Sequence, residues 1–218
     1  HLYEQETTPT NCESDYAGSV DSVRHGRVFR ERYNSLYNRD NILPLFSSNS
    51  ARVYATAENF AKGFLGSDYD KDKVQISVLD ESSSQGLNSL TPRFSCPRYN
   101  KLENVHKIAP YDKSYLKTIL ARFVENHPNL NIETDDIEVL FQYIAYETNV
   151  KGFSPFAKLF RNEEYVRYGY SEDLSKYYAN SRGNPITPVI GSVLLNASLT
   201  LLKDTERENK IWLSFSHD

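Results

Sequence analysis

Residues 43–79 read LPLFSSNSARVYATAENFAKGFLGSDYDKDKVQISVL. Leu43–Ser47 is a short apolar run and Val74–Leu79 alternates apolar with polar residues, and both patterns are typical of β-strands. Between them, helical spacing begins after Ser50, a candidate N-cap, and ends at Gly66. The apolar positions at that spacing are Val53, Ala57, Phe60, Ala61 and Phe64. Strand, helix and strand in this order predict a parallel α/β layer.

The segments on either side extend this layer. A helix is predicted upstream, from about Val23 to Tyr37. Downstream, the chain is polar to about residue 110 and then has mainly helical spacing, with a break expected at Gly169. A further helix is predicted after Pro188, with one shared apolar face that comprises Ile190, Val193, Leu194, Ala197 and Leu201. The last segment, Ile211–Ser216, alternates like a buried strand.

The order of these segments predicts the fold class. We expect an α/β sheet domain into which a mainly helical domain is inserted. We assign residues 1–98 and 183–218 to the α/β domain and residues 99–182 to the helical insertion. The chain shows no internal repeat that would favour a solenoid instead.

The composition excludes several classes of protein. The formal net charge of −4 argues against a nucleic-acid partner, which would call for a basic surface. No apolar run approaches the ~20 residues of a membrane span, so no membrane partner is predicted either. Whether the chain forms a homo-oligomer stays open.

Other features bear on the compartment. The 218 residues begin at His1 and contain no Met, so we expect that something was removed or left out. Two explanations stay open: a secretory precursor that was cleaved and has a companion fragment, or a truncated chain. Asn196-Ala197-Ser198 is a glycosylation sequon, which predicts a protein that is secreted or held in the cell-wall or periplasmic space. Cys12 and Cys96 can pair with each other, pair outside this segment or stay free.

Arg52 is the first candidate for a functional residue. It follows Ser50 at the predicted start of a helix, where unpaired backbone N–H groups carry partial positive charge and suit a phosphate. A cation is unfavourable at this end of an isolated helix. A bound anion between the guanidinium and the helix would remove that cost. The alternative is a solvated surface arginine.

His217 and Asp218 form the second candidate, because they directly follow a predicted strand. In open α/β sheets, ligands bind outside the carboxyl ends of the strands. A histidine and an aspartate at that edge could bind an anion and transfer a proton. The alternative is a polar strand end that begins a turn.

Arg24-His25-Gly26 looks like a phosphate-binding histidine motif, but we interpret it as a decoy. Nothing strand-like precedes it, and the neighbouring arginines suit the solvated face of a helix. No cluster of His and Cys has the spacing of metal ligands, so no metal is predicted. No glycine-rich phosphate loop is present either.

Several blocks of the sequence together form a recognisable pattern. They are Ser47–Val53, Thr56–Ala57, Phe60–Phe64, Asn149–Phe156, Leu174–Tyr178, Gly183–Pro188 and Leu213–Asp218. These blocks resemble the fungal histidine acid phosphatases, and in particular their phytase branch, and they fall in the order of that family across roughly residues 22–218.

The resemblance implies a function and a set of roles. The implied reaction is hydrolysis of a phosphomonoester, phytate being one candidate, through a phosphohistidine and without a cofactor or metal. Arg52 and His217 match phosphate-binding residues, and His217 and Asp218 match the later catalytic pair, with Asp218 as the general acid. Lys151 lies near a loop that the family uses for substrate, although a solvated lysine is the simpler interpretation.

The chain also departs from the family pattern. The signature Arg-His-Gly-x-Arg-x-Pro is missing, because Val28 and Arg30 follow Arg24-His25-Gly26 where the second Arg and the Pro should stand. The nucleophile is therefore expected outside this chain. Cys96 matches a family cysteine whose partner usually lies nearer the C-terminus than this chain reaches, which leaves Cys12 unexplained.

Two further hypotheses share this segment. One is a non-catalytic secreted glycoprotein or inert fragment. The other is a module that binds a small anion through Arg52 and His217 without turnover.

Overall fold

The computed structural model describes residues 17–82, 86, 88–99, 107, 111 and 113–217. Helices and strands alternate at first, and helices then dominate until the last strand. In chain order the elements are α1 (Ala17–Tyr33), β1 (Leu43–Ser48), α2 (Ala51–Leu65), β2 (Val74–Leu79), α3 (Ser114–Asn126), α4 (Thr134–Lys151), α5 (Asn162–Asn180), α6 (Thr187–Lys203) and β3 (Leu213–Phe215).

The three strands form one parallel sheet in the order β2-β1-β3. Leu43 of β1 is paired with Val74 of β2, and Leu45 is paired with Leu213 of β3. Since all three strands run the same way, their carboxyl ends meet at one edge of the sheet. The predicted α/β class and parallel layer are confirmed.

The core of this sheet forms between β1 and the apolar face of α2. Leu43 and Leu45 are fully buried, as are Ala57 and Ala61 of the helix. Phe60 and Phe64 complete the cluster. Gly66 ends α2 with a φ of 59°, a left-handed conformation that glycine adopts without a Cβ penalty. This packing fixes where α2 begins relative to the end of β1.

Helix α1 crosses α2 at very short range because a glycine stands on each helix. A Cβ on Gly26 would lie 2.2 Å from the carbonyl oxygen of Phe60, and one on Gly63 would lie 1.9 Å from that of Val23. No larger residue fits at either position. Gly26 of the Arg24-His25-Gly26 motif is thus a packing residue, and His25 beside it is exposed.

The helices α3, α4 and α5 form a second core. Its buried residues are Tyr115, Leu116, Ile119, Phe123, Ile137, Phe141, Ile144 and Phe160. Arg122 of α3 donates two hydrogen bonds to Glu164 of α5, at 2.9 and 2.8 Å, and the N–H of Arg161 reaches the same carboxylate at 2.8 Å.

The described residues divide into two compact units, one with those from 107 to 187 and the other with residues 17–99 and 188–217. The predicted domain boundaries at 98 and 182 stay predictions. No helix within the described ranges is long and apolar enough to span a membrane.

Three predictions about individual elements were wrong. The first helix begins at Ala17 and ends at Tyr33, not at Tyr37. Helix α5 runs through Gly169 without a break, because one glycine costs a helix only about 1 kcal/mol. The helix predicted after Pro188 is confirmed as α6, and on its predicted face Ile190, Val193, Ala197 and Leu201 are half-buried. The last strand is confined to Leu213–Phe215.

Candidate functional site

Polar residues that follow the three strands lie together at the carboxyl edge of the sheet. Asn49 and Arg52 follow β1, Glu81 follows β2, and His217 follows β3. This edge is where open α/β sheets bind their ligands. The parallel order therefore brings together residues that are far apart in the sequence.

The start of α2 presents Arg52 to this edge. Ser50 occupies the N-cap position in an extended conformation, but its side chain makes no capping hydrogen bond. The carbonyl of Ser50 accepts the N–H of Tyr54 at 3.0 Å, which starts the helix. The first N–H groups of α2 thus lack the usual side-chain acceptor, as in helix ends that bind anions.

His217 is held between a cation and a carboxylate. Its Nδ1 lies 2.9 Å from Nη2 of Arg52, and its Nε2 lies 2.7 Å from Oε1 of Glu81. The His217 side chain is 11% exposed and that of Glu81 is 22% exposed, so solvent screens these contacts only in part. The structure thus joins Arg52 and His217, the two residues that the sequence proposed as phosphate ligands.

Hydrogen bonds connect the loop after β2 to the loop after β1. The amide of Asn49 donates to Asp80 at 3.0 Å, and Asn49 accepts the N–H of Glu81 at 3.4 Å. Hydrogen bonds from the backbone N–H and then the hydroxyl of Ser82, together with that of Asn49, lower the pKa of Asp80. The charged Asp80 therefore stabilises the turn from which Glu81 reaches His217.

Two residues of the segment 88–96 contact the chain that follows β3. Ser216 donates from its hydroxyl to the carbonyl of Leu90 at 2.7 Å, which holds the chain just before His217. The ring of Phe94 meets that of His217 edge-on, with 6.4 Å between centroids. The guanidinium of Arg93 lies over the Phe94 ring at 4.9 Å. His217 thus has an aromatic neighbour as well as two charged ones.

The other predicted site residues lie elsewhere or outside the description. Asp218 lies outside the described residues, as does Cys12, and the proton-donor role of Asp218 stays a prediction. Cys96 is half-buried and has no disulfide partner within the described part of the chain. Asn196 is exposed on α6. Its glycosylation stays a prediction.

Lys151 belongs to the helical unit and already has a partner. Its ammonium lies 2.8 Å from Oε1 of Glu147, and Ser154 donates to Oε2 at 2.6 Å. The hydrogen bond from Lys151 is the main cause that lowers the pKa of Glu147, followed by that from Ser154. These contacts give Lys151 a structural role at the end of α4, and its contact with a substrate stays a prediction.

The sequence analysis missed Glu81, Asn49 and Asp80. A signal was present, because Asp80 and Glu81 directly follow β2 just as His217 follows β3. They stand in a polar loop, however, where acidic residues are ordinary. Among the described residues, no group of three or more His, Cys, Asp or Glu side chains is arranged to hold a metal ion.

Comparison with known proteins assigns the chain to a family. The sequence profile of the histidine phosphatase superfamily (branch 2) matches residues 3–218. The chain belongs to branch 2 of the histidine phosphatase superfamily. The resemblance stated from the sequence is thereby confirmed.

Individual relatives within the histidine phosphatases agree with this assignment. Phytase PHO112 of Candida albicans is 49% identical over 217 residues, which are 99% of this chain and 47% of that protein. The constitutive acid phosphatase of Saccharomyces cerevisiae is 35% identical over 99% of this chain and 46% of its own length. The crystal structure of the phytase from D. castellii matches with a TM-score of 0.93 and 50% identity, over 98% of this chain and 47% of that one.

The chain thus spans about half the length of the relatives it matches. Within this histidine phosphatase segment, the described edge offers one guanidinium, one imidazole and an uncapped helix start. These groups are suited to hold the oxygens of a phosphoryl group.

Proposed function

We propose that this chain is part of a phosphomonoesterase in which Arg52 and His217 bind the phosphoryl group and Asp218 is the general acid. The nucleophile is a histidine in chain outside these 218 residues. Its nitrogen attacks phosphorus, the ester P–O bond breaks, and Asp218 protonates the departing alkoxide. Water then hydrolyses the phosphohistidine and releases phosphate. No step uses a cofactor.

The contact between Arg52 and His217 carries this proposal. A guanidinium and an imidazole 2.9 Å apart, at the start of a helix and at the carboxyl edge of a parallel sheet, form a site for an oxyanion. An anion between them would accept hydrogen bonds from both side chains and from the first N–H groups of α2. The names of the relatives, phytase and acid phosphatase, point to the same chemistry.

Phytate is the substrate that we favour. The relatives named phytases are 49% and 50% identical to this chain, whereas the acid phosphatase of Saccharomyces cerevisiae is 35% identical. The block Gly183-Asn184-Pro185 adds no direct argument, because Asn184 is 1% exposed and donates to the carbonyl of Ala179 at 3.0 Å. Secretion is part of the proposal and rests on the exposed sequon at Asn196.

The test uses the full-length polypeptide that contains this chain. We expect it to hydrolyse phytate and p-nitrophenyl phosphate and to be inhibited by orthovanadate. Arg52→Ala should weaken inhibition by about 10- to 100-fold, the range for a lost hydrogen bond to a charged group. Arg24→Ala is the matched control, because Arg24 is 65% exposed and forms an ion pair with Asp21, which is itself 50% exposed.

Each outcome separates the hypotheses. Unchanged vanadate affinity in Arg52→Ala would refute the assigned binding role. Vanadate binding without turnover in the wild-type protein would instead favour the small-anion binding module. If the wild-type protein neither binds vanadate nor hydrolyses the substrates, the non-catalytic glycoprotein is favoured.

A further inference from the structure

Glu81 contacts the imidazole of His217 from the side opposite Arg52. The two residues are 136 positions apart in sequence, and the distance from Nε2 to Oε1 is 2.7 Å. Glu81 is not one of the residues to which the resemblance gives a role. Its side chain is largely buried, and it stands on a turn that Asn49 and Asp80 hold in place.

The contacts of His217 define which of its nitrogens carries the proton. A guanidinium has only donors, so Nδ1 can approach Arg52 at 2.9 Å only with a free lone pair. A neutral imidazole then has its proton on Nε2. That N–H donates to the carboxylate of Glu81. These contacts therefore select one tautomer, with the Nε2 proton on the side of Glu81 and the Nδ1 lone pair turned towards Arg52.

An oxyanion would reverse the role of Nδ1. A charged phosphoryl oxygen next to Arg52 accepts hydrogen bonds, so Nδ1 must present an N–H to it. Because Nε2–H remains on Glu81, the ring then carries both protons and a positive charge. The carboxylate stabilises that charge and keeps the ring in the same orientation in both states.

We infer that Glu81 is the positioning residue that fixes the orientation of His217 and stabilises its protonated form when a phosphoryl oxyanion binds at Nδ1. This inference rests on the proposed function. The carboxylate acts through the histidine and does not itself touch the substrate. The charged groups around the ring are Arg52 on α2, Glu81 and Asp80 after β2, and Arg93 beyond the ring of Phe94.

Two substitutions separate the charge of Glu81 from its hydrogen bond. Glu81→Gln keeps an oxygen that can accept from Nε2–H but removes the negative charge. Glu81→Ala removes both. Glu58→Gln is the control, since Glu58 forms an ion pair at the surface with Lys62 at 3.6 Å. All three are made in the full-length polypeptide.

The first readout needs no anion and no activity. Deuterium exchange at the imidazole C2–H at one fixed pH, followed by mass spectrometry, compares the exchange rate of each histidine in the wild-type protein and the variants. We expect His217 to exchange faster in Glu81→Ala, because the ring loses the carboxylate that holds it in place. The exposed His25 should keep its rate and serves as an internal control.

The second readout is inhibition by orthovanadate as a function of pH. In Glu81→Gln, the alkaline limb of vanadate affinity should move to lower pH, with about tenfold weaker binding near neutral pH and a change below about threefold at acid pH. The Glu81→Ala protein should bind vanadate more weakly both near neutral pH and at acid pH, because the ring of His217 loses its orientation as well.

The outcomes distinguish the two proposals. If the vanadate profile is unchanged in both Glu81 variants and His217 exchanges at the wild-type rate in Glu81→Ala, while Arg52→Ala loses vanadate affinity, the role of Glu81 is refuted and the proposed function stands. If the wild-type protein does not bind vanadate, the proposed function fails, and the anion-dependent role of Glu81 fails with it.

Discussion

The close crossing of α1 and α2 can be tested by adding one carbon atom at Gly63. A Cβ there would lie 1.9 Å from the carbonyl oxygen of Val23 and 2.7 Å from its carbonyl carbon. The first distance is about 1.5 Å shorter than the 3.4 Å at which ordinary contact begins. Both obstructing atoms belong to the backbone of α1. No side-chain rotation relieves the overlap, so one helix must move.

Two effects of opposite sign set the size of the change for Gly63→Ala. Alanine is the better helix former by about 1 kcal/mol. Overpacking costs about 1–3 kcal/mol or more, and a rigid backbone obstacle puts this site at the upper end. A shift of α1 also loosens contacts such as Phe29 against Phe60, whose rings are 5.5 Å apart. The free energy of unfolding should therefore fall by about 2 kcal/mol.

Thermal unfolding of the full-length polypeptide measures this effect. A loss of about 2 kcal/mol corresponds to a melting temperature lower by about 4–8 °C for a domain of this size. Gly18→Ala on α1 is the matched control, because a Cβ there meets nothing within 4 Å. Because alanine is the better helix former, the control should leave the unfolding free energy unchanged or raise it by up to about 1 kcal/mol. A Gly63→Ala protein that melts at or above the wild-type temperature would show that the helices are not in such close contact.

Two further substitutions test roles that the structure assigns outside the phosphate site. His25→Ala should leave turnover of p-nitrophenyl phosphate in the full-length polypeptide unchanged, because His25 is exposed beside the packing residue Gly26. A loss of turnover above about tenfold would restore His25 as a candidate nucleophile. The second substitution concerns Glu147, whose pKa is lowered by Lys151 and Ser154. The charged carboxylate therefore contributes stability above the usual pKa of glutamate, and this contribution is lost as the pH falls through the lowered pKa. Glu147→Gln should therefore reduce the melting temperature near neutral pH and have little effect once the pH is below the lowered pKa of Glu147. An equal effect at both pH values would contradict the role of its charge.

The local pattern of the sequence was sufficient to predict the parallel layer. An apolar run, a helical face and an alternating segment lie within residues 43–79, and each has its own periodicity. Helix α6 shows the limit of that reasoning. Its spacing predicts which residues share a face, but whether anything covers the face depends on chain that lies elsewhere. Leu194 on the predicted face is 44% exposed among the described residues, whereas Val193 beside it is half-buried.

The candidate site was predictable only in part, for a related reason. Arg52 and His217 could be proposed because each stands at the end of a recognisable element. Glu81 stands in a polar loop, Asp80-Glu81-Ser82-Ser83-Ser84, where solvated acidic residues are common. Only the order β2-β1-β3 brings this loop against the residue after β3. No pattern within a single segment carries that information.

The charge balance of the site explains why its three side chains belong together. With His217 neutral, the positive charge of Arg52 and the negative charge of Glu81 flank the ring and offset each other. An incoming phosphoryl group adds negative charge that this arrangement does not yet balance. In our proposal, one source of compensation is a proton taken up by His217, which Glu81 makes favourable. The other is the cationic signature that the family resemblance expects in chain outside this segment. Arg52 and His217 are therefore suited to hold the phosphoryl oxygens. The cationic residues expected beside the nucleophile would neutralise the remaining negative charge of the phosphoryl group.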